Sequence, residues 1–247
     1  MADVERRITA RSQRPPITAP ALKTGATLLA PAIREQLARY GYYSLTNVLT
    51  DEVARHITNE AQRQQASATR TVSTWFGISR EGKYFASPMR FRSSRPGRYL
   101  NYLHRHPQTL RLVQAIAGQP MRPSQASFMY YRDGSRVGLH TEVPGCQLVL
   151  LVSVIGSVPP LLVYPQMRGM TLEQLVARAK ATGGAPPGGV PLRIPRRGFA
   201  ILRGRKTPHR RPVVHTQGET IGLATLCYVA GTGGTLARGV QRLAGHG

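Results

Sequence analysis

The chain has 247 residues, with 34 Lys and Arg against 11 Asp and Glu, and carries a formal net charge of +23 at pH 7. That length suits one large domain, and 41% hydrophobic residues support a core. The longest apolar stretches, about eight residues, fall far short of the roughly 20 that span a bilayer, and the start MADVERRITARSQRPPITAP lacks the apolar segment of a secretory signal.

The expected placement is therefore cytoplasmic, with no membrane partner. A surface so basic draws polyanions and acidic ligands. The charge is mostly arginine spread along the whole chain with few aromatics between, so nucleic acid is admitted as a partner but not favoured over a small anionic or carrier-bound molecule.

Residues 1–25 are polar, basic and Pro-containing, which predicts a flexible segment. From Ala30 to Tyr40 apolar residues recur at helical spacing, with Gly41 as the stop. Tyr42 to Leu45 reads as a short strand. Thr50, followed by Asp51 and Glu52, caps a second helix running to about Ala66. Residues 70–100 look irregular, with Trp75, Phe76, Tyr84 and Phe85 as packing anchors. His106-Pro107 precedes a helix from Gln108 to Ala117, ended by Gly118, and His104 and His106 are expected to cap it or to lie exposed.

Strands then dominate: 127–132, 147–155, 160–165, 198–203 and 220–230, each bounded by Gly, Pro or charged turns. A helix at 171–179 interrupts them, followed by a Gly- and Pro-rich loop at 182–189. That loop and the 70–100 region are expected to border a pocket. Residues 231–247 return to Gly and Arg and read as a tail. Helices first and short strands after predict an α+β domain at 26–230: a double-stranded β-helix, or jelly-roll, core with the N-terminal helices packed on one sheet.

Cys146 and Cys227 both lie in apolar runs without CxxC spacing. They read as buried thiols in a reducing compartment, not as a disulfide framework or a zinc site.

Of seven histidines, only His140 is followed two residues later by a carboxylate, Glu142. On an extended chain positions i and i+2 share a face, so the two can act together. His209 follows a second strand-and-turn, Gly198 to Gly204, and can arrive opposite. Two imidazoles and one carboxylate on one face are the usual ligands of non-haem Fe(II), with positions left open for oxygen and a co-substrate. The bland alternative is a surface pair beside a turn.

Over roughly residues 30–230 the chain resembles the 2-oxoglutarate/Fe(II)-dependent oxygenase superfamily. The opening Leu37 to Val53 is similar to its helix-strand-helix start. Tyr130 to Glu142 resembles its tyrosine–glycine–HxD/E segment, Pro160 to Pro165 the strand across from it, and Gly198 to Val213 the stretch that supplies the last ligand. The resemblance implies that His140, Glu142 and His209 hold the iron and that 2-oxoglutarate and O2 are consumed. It further implies that a C–H bond of a small polar or anionic molecule, an amino acid or natural-product intermediate, is oxidised. Glu in place of Asp is a minority variant there.

One departure concerns the co-substrate. The family places Arg or Lys early in the last strand to pair with the far carboxylate, and here Gly218 to Gly222 offers no cation. Thr220, Gly222 and Ala224 are small and share a face, which would leave room for a side chain reaching from elsewhere. Arg203, Arg210 and Arg211 are the candidates and Arg211 is preferred, each being otherwise a solvated arginine. Tyr131 either donates to the co-substrate or packs in the core. The alternatives are an iron oxidase of the same fold that does not use 2-oxoglutarate, and a basic nucleic-acid-binding protein without catalysis.

Overall fold

The apolar run at 148–155 is buried along nearly its whole length, because the sheet that contains it is covered on both faces. Leu148, Leu150, Val152 and Val154 belong to a core shared with helices, whereas Val149 and Leu151 belong to a second core on the other side. Alternate residues of a strand point to opposite faces, so two covered faces turn alternation into a continuous hydrophobic stretch.

The structure is a computed structural model that describes residues 19–73, 77–78, 84–85 and 89–231. Five α-helices are described: α1 (Ala30–Arg39), α2 (Asp51–Gln64), α3 (Arg98–Arg105), α4 (Pro107–Ala117) and α5 (Leu172–Ala181). The strands are β1 (Tyr42–Leu45), β2 (Thr69–Ser73), β3 (Gly77–Ile78), β4 (Tyr84–Phe85), β5 (Met89–Ser94), β6 (Met121–Tyr131) and β7 (Val137–His140). They continue with β8 (Leu148–Ile155), β9 (Leu161–Val163), β10 (Val190–Leu192), β11 (Phe199–Leu202), β12 (His209–Arg211) and β13 (Ile221–Ala230).

Two sheets form, with orders β1-β11-β8-β13-β6-β5-β2 and β10-β9-β12-β7-β4-β3. Every pairing is antiparallel. Ile33 and Leu37 of α1, Val53 and Ile57 of α2, Leu100 and Leu103 of α3 and Leu112 and Ile116 of α4 cover the outer face of the larger sheet. Between the sheets, Val149, Leu151, Leu202 and Leu223 meet Val137, Leu161, Val163 and Leu192. Helix α5 covers Leu139 and Tyr164 through Leu175 and Ala179. This is the jelly roll with its N-terminal helices on one sheet that the sequence predicts. Among the described residues, no helix is long and apolar enough to cross a membrane.

Three expectations need correcting. Residues 19–25 are tied down: Ala21 and Leu22 are buried, and the Lys23 N–H donates to the Val48 carbonyl at 2.8 Å. Cys146 and Cys227 are not thiols but a disulfide 81 residues apart. Strand β13 lies antiparallel to β8 with Cys227 opposite Val149, which brings Cys227 beside the residue that leads into β8, and the ground for reading a reducing compartment is gone. The 70–100 region, expected to be irregular, contains β2, β5 and the start of α3. Trp75 and Phe76 and the side chains of Tyr84 and Phe85 lie outside the described residues.

Candidate metal centre

Strands β7 and β12 are neighbours in the smaller sheet, and their register sets His140 directly opposite His209. His140 is the last residue of its strand; Glu142 lies beyond it in the loop to β8, so the two are not on one strand as expected. The loop still turns the carboxylate inward, because the Glu142 N–H donates to the Gly204 carbonyl at 3.0 Å. Gly204 has to be glycine: a Cβ there would stand 2.4 Å from the Cys146 carbonyl oxygen and 2.8 Å from Glu142 Cγ.

All three side chains are largely withdrawn from solvent. Glu142 Oε1 lies 3.4 Å from His140 Nε2 and 3.5 Å from His209 Nε2, and the ligand atoms all fall within 4.8 Å of one another. One ion with bonds of roughly 2 Å could reach all three. The tautomers are fixed to suit it. His140 Nδ1 lies 2.8 Å from the Gly138 carbonyl and His209 Nδ1 2.9 Å from that of Thr207. A carbonyl only accepts, so each Nδ1 carries the proton and each Nε2 presents its lone pair, as a metal-bound imidazole requires. The donor set therefore fits a divalent first-row metal.

The triad lines a cavity of about 280 Å3 between the sheets. Met89, Phe91, Met129, Leu151, Leu161 and Leu223 make its apolar wall, and Ser93, Gln125, Ser127 and Thr225 its uncharged polar groups. Strands β5 and β6 supply much of this lining. The period-two pattern of Met89-Arg90-Phe91-Arg92 was the signal available for β5. The loop at 182–189 contributes nothing to this cavity, whereas the 70–100 region does.

The candidates for the co-substrate separate in space. Tyr131 lines the cavity, and the Arg211 guanidinium lies 4.7 Å from the centre of its ring. Arg211 is 1% exposed; its Nη1 donates to the Pro159 carbonyl at 2.5 Å, while Nε and Nη2 are buried with no hydrogen-bond partner. Burial pushes the Tyr131 phenol upward, an effect the Arg211 charge opposes. Arg210 instead donates to the Tyr164 hydroxyl at 2.8 Å.

Arg203 lines a different depression, with Arg205 and Lys206. Thr220 accepts from Arg132 and Gln65 outside the cavity. The face of β13 expected to make room is the wrong one: Ala224 packs in the helix-side core, and Leu223, Thr225 and Cys227 face the cavity. An error of one residue exchanges the two faces of a strand.

Solved structures of proteins described as alpha ketoglutarate-dependent, or crystallised with 2-oxoglutarate, share this fold. SnoN, an epimerase of nogalamycin biosynthesis crystallised with Fe3+, alpha ketoglutarate and nogalamycin RO, is 17% identical, with a TM-score of 0.62 over 83% of this chain and 85% of its own. AviO1 from Streptomyces viridochromogenes is 16% identical, with a TM-score of 0.59 over 82% and 96%. HygX from Streptomyces hygroscopicus, solved with nickel and 2-oxoglutarate, is 13% identical, with a TM-score of 0.57 over 81% and 87%. No protein-family model and no curated sequence matches the chain.

Proposed function

We propose that the protein is a non-haem Fe(II) enzyme that uses 2-oxoglutarate and O2 to oxidise a C–H bond of a small molecule. The observation that carries this reading is the pair of histidines, each with Nδ1 bound to a carbonyl, whose Nε2 atoms converge on one oxygen of Glu142. The structural likeness to SnoN and HygX, each crystallised with a metal and the keto acid, supports it.

Iron, with 2-oxoglutarate decarboxylated to succinate, supplies an oxidant strong enough for an unactivated C–H bond. The chain contributes the rest. His140, Glu142 and His209 would hold the ion with three ligands, a set that leaves positions for co-substrate and oxygen. Glu142 fills the position a halide would need, which favours hydroxylation over halogenation.

Arg211, which stands behind Tyr131 and lines a depression of its own beside Arg136 and Gly138, is the candidate nearest the cavity for the part of the missing late-strand cation. Its unpartnered Nε and Nη2 offer a fork suited to the far carboxylate of the keto acid, and a buried donor left unpaired costs about 1–3 kcal/mol. Tyr131 holds the guanidinium in place from the cavity side. The apolar wall keeps water from the reacting centre, while Gln125, Ser127 and Thr225 offer hydrogen bonds to the substrate. No Lys or Arg is among the described residues that line the cavity.

The test is succinate and carbon dioxide release from 2-oxoglutarate with added Fe(II), in the native chain and in His140→Ala. The native chain should turn over 2-oxoglutarate slowly without substrate, and the variant should lose both retained iron and succinate. Undiminished turnover in the variant overturns the triad. Oxygen uptake with no need for 2-oxoglutarate would transfer the reading to an iron oxidase of the same architecture.

A further inference from the structure

On the outer face of the larger sheet, Arg70, Arg90, Arg92 and Arg132 line a pocket of about 230 Å3. We infer that this pocket is a binding site for a compact phosphate-type anion, the phosphoryl group of a small molecule, separate from the metal centre. The register of β2 and β5 places Arg70 directly opposite Arg92, and like charges facing each other across a ladder destabilise a sheet. Among the described residues no carboxylate forms an ion pair with any of the four. Asp133 also lines the pocket, but its oxygens accept the backbone N–H groups of Thr216 and Gly218 at 2.5 and 2.8 Å.

Two of the guanidiniums are already fixed. Arg92 donates through Nε and Nη2 to the Ala68 carbonyl at 3.1 and 2.6 Å, and Arg132 Nε to Thr220 Oγ1 at 2.9 Å. Each keeps further N–H groups for a ligand. Guanidiniums held in place match tetrahedral oxyanions through paired hydrogen bonds. The pocket has room for a phosphoryl group and not for a duplex, and Asp133 at its margin repels a polyanion that runs on past it.

The site is not the co-substrate's anchor. On β5, Arg90 and Arg92 face this pocket while Met89 and Ser93 face the metal cavity, and Phe91 borders both. The inference stands whether or not the metal centre works as proposed.

Calorimetric titration of the full chain with inorganic phosphate, in Tris with EDTA and 0.15 M NaCl, tests it. One saturable site is expected. Arg70→Gln and Arg90→Gln should each weaken binding on the order of tenfold, the loss of one charge-assisted contact, whereas Arg178→Gln, at an exposed position of α5, should leave it unchanged. Arg70 lies on an edge strand opposite Arg92, so its variant should keep or slightly raise the native melting temperature. Absence of a saturable site, equal weakening by Arg178→Gln, or no weakening by either pocket variant overturns the proposal. So does a 20-nucleotide single-stranded DNA that binds more tightly than phosphate and is equally sensitive to Arg178→Gln, since the cluster would then be part of a diffuse basic surface.

Discussion

Arg211 is the residue whose burial most demands an explanation. A guanidinium at 1% exposure with two unpartnered nitrogens is costly in the free protein, because desolvation is only repaid when the donors find partners. Replacing such a residue by an apolar one of similar length is often stabilising. Arg211→Met should therefore raise the melting temperature by a few degrees, on the order of 1 kcal/mol. The same change should leave metal binding intact and raise the KM for 2-oxoglutarate roughly a hundredfold, by loss of two charge-assisted hydrogen bonds. Arg211→Lys should recover part of that loss as a point charge without the fork. A melting temperature that falls, with KM unmoved, would make Arg211 a structural residue and return the anchor to another group.

The elements show where the sequence could be read and where it could not. Strands β8, β11 and β13 are long apolar runs because both faces of their sheet are covered, and they are legible for that reason. The same property hides which face borders the cavity: a strand apolar on both sides carries no parity signal, so Thr220, Gly222 and Ala224 were an even chance. Strands β7 and β12 span four and three residues, too short for any period, yet they carry both histidines. The site was legible through residue chemistry, in the one His-x-Glu, and not through secondary structure.

Helix α3 was missed because its N-terminus has no Ser, Thr, Asp or Asn at the cap; Gly97 stands there without a side-chain hydrogen bond. Its cap comes from another helix. Glu60 of α2, 4% exposed, accepts the Tyr99 N–H at 2.9 Å and the Leu100 N–H at 2.8 Å, and a negative charge at a helix start is favourable. Gly97 has to be small, since a Cβ would come within 2.3 Å of Glu60 Oε1. His104, expected to cap or be exposed, is buried in α3 with Nε2 2.8 Å from the Cys227 carbonyl, whereas His106 does cap α4. Glu60→Ala should cost about 2–3 kcal/mol, leaving two buried N–H groups unmet, with Glu60→Gln recovering part of it. Chemical denaturation of the two variants measures this; equal stability of Glu60→Ala and the native chain would mean that water replaces the cap without loss.

For the molecule as a whole, the formal charge of +23 understates the imbalance at the surface, because two of the 11 acidic residues, Glu60 and Glu142, are largely withdrawn from solvent. Glu60 caps α3 and Glu142 faces the two histidines. Asp133 is held by backbone N–H groups that keep its carboxyl below the usual carboxylate range. Arg197 and Asp51 form an exposed ion pair, of a kind that contributes little. What remains is a shell of arginines repelling one another in the compact state, relieved when the chain expands. Salt shortens the reach of that repulsion, from about 30 Å at 0.01 M to about 8 Å at 0.15 M. The melting temperature should thus rise by several degrees between 0.01 and 0.5 M NaCl, most of it below 0.15 M, opposite to a protein held by surface salt bridges. Phosphate at equal ionic strength should raise it further in the native chain, by occupying the pocket between β2, β5 and β6, and should lose that extra increment in Arg70→Gln. A melting temperature that is flat or falls with chloride would show that the arginines are already balanced, and calorimetric scans across the salt series decide it.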